Sequence, residues 1–519
     1  MSAERNASYR QILRSTSVIG GSSLVNVLLG ILRTKALAAM LGPGGVGLGG
    51  IYGSIMSTAG ILAGLGLSTS GVRQLAEALG RGDERAASIV RKVLWYANLA
   101  SGLLGAAALW ALREPVAQWV FGDLAQADAV GWLGIGLLLG AVAGSQTVLL
   151  QGFRRIGDLG RISMAGAAFG SLAAVGFVYA LGRDGVIWFV LVNPAANVLI
   201  AWRYAARLPA PAHSPSWGEM GRELRTLLGL GFVLMLASLM QGGVQLAVRA
   251  LVARELGVEA VGQFQAAWAV SMQYIGFVLA AMGADYYPRL TAAIHDRGQA
   301  NRLVNEQAEV ALLLAGPVLL GMMTLAPLVI DALYAPSFRP AVDVLRWQIL
   351  GDLVKVAAWP IGFILLARRE GKLFFATELT WNACYLGFVW LGLPLLGLAS
   401  TGQGFLFAYA VFYCGVFATV KRLTGFQWEA GNRRLFGGLA AMALAILAIF
   451  AAPGWLDWLA AHFELGLAPG AAAALAEYST AAGYGVGLAC SAATAWFAVR
   501  RLNRLADFYG TLRRKFKRL

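Results

Sequence analysis

Charged residues make up only 13% of this 519-residue chain, and acids are the scarcer sign, with 27 Asp and Glu against 42 Lys and Arg. A water-soluble fold of this length needs a far larger polar surface, which excludes that class. Histidine and cysteine number three each. His213, His295 and His462 fall in connections between apolar runs, and Cys384, Cys414 and Cys490 lie inside such runs without metal-ligand spacing. That excludes a Cys/His metal centre, and the cysteines read as small core residues. No Walker A loop, zincin His pair or nucleophile elbow occurs. The chain therefore reads as no enzyme, with no catalytic residues, no metal and no cofactor. Period-two alternation over about 10 residues is missing too, which argues against a membrane β-barrel. No cleavable signal peptide is evident: Met1 to Arg14 is short and polar, and the first apolar run reads as a retained helix.

What the chain does have is apolar length. About fourteen apolar stretches run from near Gln11 to Val499. Runs of about 20 residues match a hydrocarbon core of roughly 30 Å at 1.5 Å rise per residue. The expected fold is an all-α polytopic membrane protein: two pseudo-symmetric six-helix lobes and a C-terminal helix pair. The boundaries are an N-terminal lobe over 1–207, a Pro- and Ser-containing linker over 208–221, a C-terminal lobe over 222–420, the extra pair over 421–499 and a basic tail over 500–519. An internal repeat underlies the two lobes. Shifted by 215 residues, Leu41-Gly42 meets Leu256-Gly257, Val46-Gly47 meets Val261-Gly262 and Leu75 meets Leu290. Six helices per lobe give both the same orientation, which predicts a pseudo-two-fold axis along the membrane normal.

The positive charge is one-sided. Alternate connections together with both termini hold 33 of the 42 Lys and Arg. Short loops rich in Lys and Arg stay in the cytoplasm, so both termini are expected there. The basic residues flank apolar spans, a pattern that suits membrane lipid headgroups and not nucleic acid. Val72 to Lys92 reads as one basic connection, and Asp285 as the residue following helix 8.

Nine cations lie outside this set. Arg113, Arg183, Arg254, Arg339 and Arg346 read as outer-interface residues. Arg33 and Lys35 on the first helix, and Arg249 near the equivalent place in the second lobe, either snorkel to the interface or face a central cavity that holds an anion. Lys355 lies about 16 Å inside its helix, near mid-bilayer, with Asp352 one turn away. The two form a self-contained pair, or Lys355 is a substrate-binding cavity cation or part of a coupling site. Asn26, Gln241 and Gln245 are candidates for a polar cavity. Asp352 and Asp285 are candidates for coupling.

The stretch from Arg33 through Gly47 (Arg33-Thr34-Lys35-Ala36-Leu37-Ala38-Ala39-Met40-Leu41-Gly42-Pro43 and onward) resembles the first-helix signature of bacterial polysaccharide flippases. These are the Wzx-type O-antigen translocases of the multidrug/oligosaccharidyl-lipid/polysaccharide (MOP) exporter superfamily. Asp285-Tyr286-Tyr287-Pro288-Arg289-Leu290 is similar to the segment that follows helix 8 in that family. The resemblance implies a V-shaped pair of lobes in the bacterial inner membrane. It implies a cargo of undecaprenyl-pyrophosphate-linked oligosaccharide, moved by alternating access around a cationic cavity. A glycan polymerase and a chain-length regulator are implied partners. Lys35 matches the basic position before the family's turn. Flipping of peptidoglycan lipid II stays open, and fourteen helices favour it. A cation-coupled multidrug antiporter also stays open, but it predicts buried carboxylates in helices 1 to 6, which carry none at mid-depth. A membrane glycosyltransferase needs acidic catalytic residues in large outer loops, and the longest, Pro453 to Glu477, holds only Asp457, Glu464 and Glu477.

Overall fold

The computed structural model describes residues 2–209, 213–463 and 471–516, with side chains from residue 25 onward except at 230, 233, 277–278, 280–284, 453–476 and 505–516. Residues 210–212 of the expected linker, Glu464 in the long outer loop and the last three residues of the basic tail lie outside the described residues. Every described element is helical: α1 (Ser2–Gly64), α2 (Leu67–Gly80), α3 (Glu84–Ala111), α4 (Arg113–Phe121), α5 (Ala127–Gly152), α6 (Ile156–Leu181), α7 (Gly185–Ala205), α8 (Trp217–Leu256), α9 (Val258–Ala293), α10 (Arg297–Thr324), α11 (Ala326–Leu333), α12 (Ala341–Ala367), α13 (Gly371–Leu396), α14 (Ala399–Thr424), α15 (Ala430–Phe463) and α16 (Ala471–Phe516). Among the described residues, eleven stretches are long and apolar enough to cross a bilayer. Two of them, Val25–Gly64 and Ile156–Ala205, each hold two helices; with α9, fourteen helices of bilayer length result. Leu104, Leu172 and Leu395 are 71%, 80% and 84% exposed. Such exposure is unfavourable in water but costs nothing against lipid tails, which are as apolar as leucine.

The repeat is written into the backbone. α1 breaks at Gly42 (φ 62°, ψ −159°), and the chain breaks again between α8 and α9 at Gly257 (φ 89°, ψ 169°). Both conformations are closed to residues with a Cβ, so glycine is required at each. Two more left-handed positions recur at the same 215-residue offset: Arg154 and Arg369 after α5 and α12, and Gly182 and Gly397 after α6 and α13. α3 and α10 are each 28 residues long and each follows a capping aspartate. Asp83 accepts from Ala86 N at 2.9 Å, and Asp296 accepts from Gly298 N and Gln299 N at 2.9 and 3.0 Å. The two glycine turns also cross. A Cβ on Gly47 would collide with the Val258 carbonyl oxygen, and one on Gly262 with the Pro43 carbonyl oxygen. Residues 43 and 258 are 215 apart, as are 47 and 262, so the contact is reciprocal, as a local two-fold makes it.

The helices separate into two units, Met1–Gln265 with Leu333–Ser337, and Ala266–Ala332 with Phe338–Leu519. In the first, α2 occupies part of the segment that reads from sequence as a connection. Its Leu67, Leu75 and Ala78 pack into a core with Leu94, Leu150, Ala201 and Leu227. Alternation of these apolar residues with Arg73, Glu77 and Arg81 at helical spacing makes an amphipathic helix, too polar for a hydropathy window. In the second unit, α12 is buried along most of its length, from Ala341 to Ala367. The extra pair, α15 and α16, is fastened to α10. Asn432 donates to Asn305 O at 2.8 Å, Ser491 to Pro317 O at 2.8 Å, and Arg501 Nε lies 2.6 Å from Glu309 Oε1.

Candidate functional site

The polar residues singled out from sequence fall into three places. In the first unit, Asn26 of α1 donates to Ser163 Oγ on α6, while its own Oδ1 is buried without a hydrogen bond. Two turns on, the Arg33 guanidinium stands 5.0 Å from the centroid of the Phe189 ring on α7. Its Nε is buried and donates to no protein acceptor. A fixed guanidinium has five donors and no way to lose its charge, so a buried donor without a protein acceptor is an unmet hydrogen-bonding demand. Lys35, half a turn away, is exposed.

Arg249 of α8 has a different environment. It is 5% exposed and its donors are taken up by protein. Nε and Nη2 both reach Gln265 Oε1 of α9, at 3.1 and 2.6 Å, and Nη1 reaches Gln245 O and Oε1, each at 2.9 Å. Its face covers Phe264 at 5.4 Å. Arg249 and Gln265 thus join α8 to α9, next to the Gly257 turn. Gln241, one turn before Gln245, is exposed.

In the second unit, Asp352 is fully buried. Its Oδ2 accepts from Ser271 Oγ of α9, and its Oδ1 has no partner. Lys355 does not close onto Asp352. Its Nζ meets Met272 Sδ at 3.5 Å and lies 5.5 Å from the Tyr409 ring centroid on α14. Glu378 of α13 is a second carboxylate whose charge acts on Lys355. Phe405 and Trp381 wall the group, their ring centroids 4.8 and 5.2 Å from that of Tyr409. Two carboxylates and one ammonium in an aromatic surround carry one uncompensated negative charge when all are ionised. Binding of one proton or one monovalent cation removes it.

Asp285 lies inside α9, which runs past it to Ala293, and its carboxylate is ion-paired to Arg289 at 3.1 Å. Arg346 is 7% exposed, with its guanidinium 3.7 Å over the Phe450 ring of α15. Residues that sequence reasoning passed over are Gln265, Ser271, Met272 and Tyr409. The available signal was a polar side chain within an apolar run, which Gln265 and Ser271 both show. Among the described residues, no three His, Cys, Asp or Glu side chains gather as a metal site.

At the helix ends, outside the spans, Ser216 and Glu219 form a capping box at the start of α8. The Glu219 carboxylate is held down at about 2 by the Ser216 backbone N–H, then by Arg85, with His213 and the Ser216 hydroxyl adding to it. The Arg85 contact, 2.7 Å, fastens α3 to the start of α8.

Comparison with known proteins gives a consistent outcome. Residues 36–343 match a family described as polysaccharide biosynthesis protein. The Lipid III flippase of Escherichia coli strain K12 is 24% identical over 421 residues, covering 77% of this chain and 97% of that protein, and the Shigella flexneri Lipid III flippase matches equally. Among solved structures, an inward-facing multidrug resistance MATE family transporter of the MOP superfamily aligns with a TM-score of 0.65 at 17% identity, over 77% of this chain and 94% of its own. The inward closed lipid II flippase MurJ aligns with a TM-score of 0.61 at 11% identity, over 93% of this chain and 99% of its own. The fold is that of the MOP superfamily, and the longer MurJ overlap extends into the extra helix pair.

Proposed function

Because the chain belongs to the polysaccharide biosynthesis protein family, we propose that it is a flippase for undecaprenyl-pyrophosphate-linked oligosaccharide, an O-antigen or related repeat unit, across the bacterial inner membrane. The observation that carries the reading is Arg33: a permanently charged side chain at a membrane helix, fixed on Phe189, with a buried donor that no protein acceptor takes. A diphosphate oxygen is the natural acceptor, since the planar guanidinium fork matches phosphate geometry. Lys35 adds charge on the same helix. Asn26, Gln241 and Gln245 offer amides to sugar hydroxyls, and Arg249 positions α8 against α9. Asp352, Lys355 and Glu378 form the coupling site, taking up a proton or cation as the protein alternates between faces. Asp285, two turns before the end of α9 and paired with Arg289, faces the cytoplasmic side. The working division is a lobe over 1–207, a linker over 208–221, a lobe over 222–420, a pair over 421–499 and a tail over 500–519, with both termini cytoplasmic. A glycan polymerase and a chain-length regulator take the product on the far side.

Flipping of lipid II is the second reading, favoured by the match to MurJ over 93% of this chain. The first test is genetic. Arg33→Ala and Lys355→Ala should each remove glycan display from the cell surface while the protein stays in the membrane. Normal display in both variants refutes the assignment of these cations. Survival of cells depleted of their own lipid II flippase, when this chain is expressed, decides for the second reading.

A further inference from the structure

A second cationic site, separate from Arg33, lies at the Lys/Arg-rich end of the second unit. The end of α9, the start of α10 and the end of α12 enclose a cleft of about 630 Å³, lined by Thr291, His295, Arg297, Arg368 and Arg369 among others. Of the nearby acids, Glu370 follows Arg369 directly in the chain, and two others are already committed. Asp296 caps α10 through Gly298 N and Gln299 N, and Asp285 pairs with Arg289. Among the described residues, no carboxylate lies within ion-pair distance of Arg297, Arg368 or Arg369. Arg369 is held in the left-handed region (φ 61°), with its N–H on Leu366 O at 3.0 Å, a conformation that favours glycine.

The internal repeat supplies a control. The first residue after the capping aspartate is Glu84 in the first repeat and Arg297 in the second. The residue capping the end of α5 is Phe153, and the one capping the end of α12 is Arg368. The left-handed residue is arginine in both, Arg154 and Arg369. With the next matched pair, Arg155 and Glu370, these positions sum to one positive charge in the first repeat and to two in the second, and the three arginines of the second lie around one cleft. Topogenic charge alone gives no reason for that difference, because both repeats face the same side under the positive-inside rule.

We propose that this cleft binds a phosphate or diphosphate group, carried by a lipid headgroup at the membrane face or free in solution. Three guanidinium groups around one opening provide bidentate donors to several phosphate oxygens, and an exposed site at a helix end is reachable from the headgroup layer. The inference is independent of the cargo proposed above, because its readout is binding and not flipping.

The test uses the full chain in nanodiscs. In discs of phosphatidylcholine, inorganic pyrophosphate is titrated by calorimetry. In discs with added phosphatidylglycerol, co-purifying lipid is counted by native mass spectrometry. The triple variant Arg297→Gln, Arg368→Gln, Arg369→Gln should weaken pyrophosphate binding by about tenfold or more, or abolish phosphatidylglycerol enrichment. The matched variant Arg203→Gln, Arg207→Gln, Arg222→Gln should change neither. Loss in the calorimetric arm alone assigns a soluble diphosphate, and loss in the lipid arm alone assigns a headgroup. Equal loss in both triple variants, or no loss in either arm, overturns the proposal. Arg368→Gln alone, with a smaller effect of the same sign, serves if the triple variant does not fold.

Discussion

Replacing Arg249 by methionine separates a structural cation from a cargo-binding one. Methionine keeps most of the apolar stem and deletes the guanidinium. The deletion leaves Gln265 Oε1 and Gln245 Oε1 without donors at a position that is 5% exposed. Gln245 and Gln265 are half-buried, so each acceptor orphaned in this way costs about 1 kcal/mol, the low end for a buried group. Loss of the cation–π contact to Phe264 adds about 0.5–2 kcal/mol. The expected destabilisation is about 3 kcal/mol, large against the 5–15 kcal/mol of a typical domain. It should appear as a marked drop in the thermal midpoint of detergent-solubilised protein, read by fluorescence-detected size exclusion. Adding Gln265→Leu removes the main orphaned acceptor and should recover part of the loss, since removing both partners costs less than removing one. An unchanged midpoint with lost transport would refute this reasoning and place the Arg249 guanidinium on the cargo.

Other perturbations follow from the same contacts. Gly262→Ala puts a methyl group into the Pro43 carbonyl at the crossing of the two turns. It should cost about 1–3 kcal/mol, and a midpoint equal to wild type would contradict the close approach. Lys355→Met leaves Asp352 and Glu378 in an apolar surround without the ammonium, and should destabilise more than Asp352→Asn, which keeps an acceptor for Ser271; the reverse order in thermal midpoints would argue against it. The Glu219 carboxylate titrates at about 2 when folded and near 4.5 when free. Its folded value is depressed, so its contribution is complete above pH 4.5 and lost as pH falls towards 2. Glu219→Gln should therefore flatten the midpoint-versus-pH profile in that window, and parallel profiles would contradict the clamp to Arg85.

The features legible in the sequence are those that a single residue type enforces. Gly42 and Gly257 occupy backbone conformations that other residues avoid, so the 215-residue repeat was visible as letters before it was visible as angles. Bilayer-length helices were legible because hydropathy integrates over a whole span. The helical course of α2, and of α9 beyond Asp285, escaped that window. Their polar residues sit on one face, and Asp285 and Arg289 stabilise the helix by an i,i+4 pair that reads as a loop in composition. The surroundings of Lys355 were not legible. Ser271 is 81 residues from Asp352, and Met272 and Tyr409 arrive on two other helices. Helix rotation about its own axis decides such meetings, and hydropathy carries no record of it. Of the two readings of Asp352 and Lys355, the direct pair rested on spacing alone; Ser271 and Met272 give each its own contact, while the two charges still act on one another.

The central claim is that this chain carries a lipid-linked diphosphate sugar between leaflets with Arg33 as the diphosphate's protein contact. The most direct measurement is in proteoliposomes holding a fluorescent polyprenyl-pyrophosphate oligosaccharide, quenched from outside by a membrane-impermeant reductant. The account predicts that wild-type protein renders the inner-leaflet label quenchable with time and that Arg33→Ala leaves it protected, as in protein-free vesicles. Label that stays protected with wild-type protein, or that is exposed equally fast with Arg33→Ala, would contradict it.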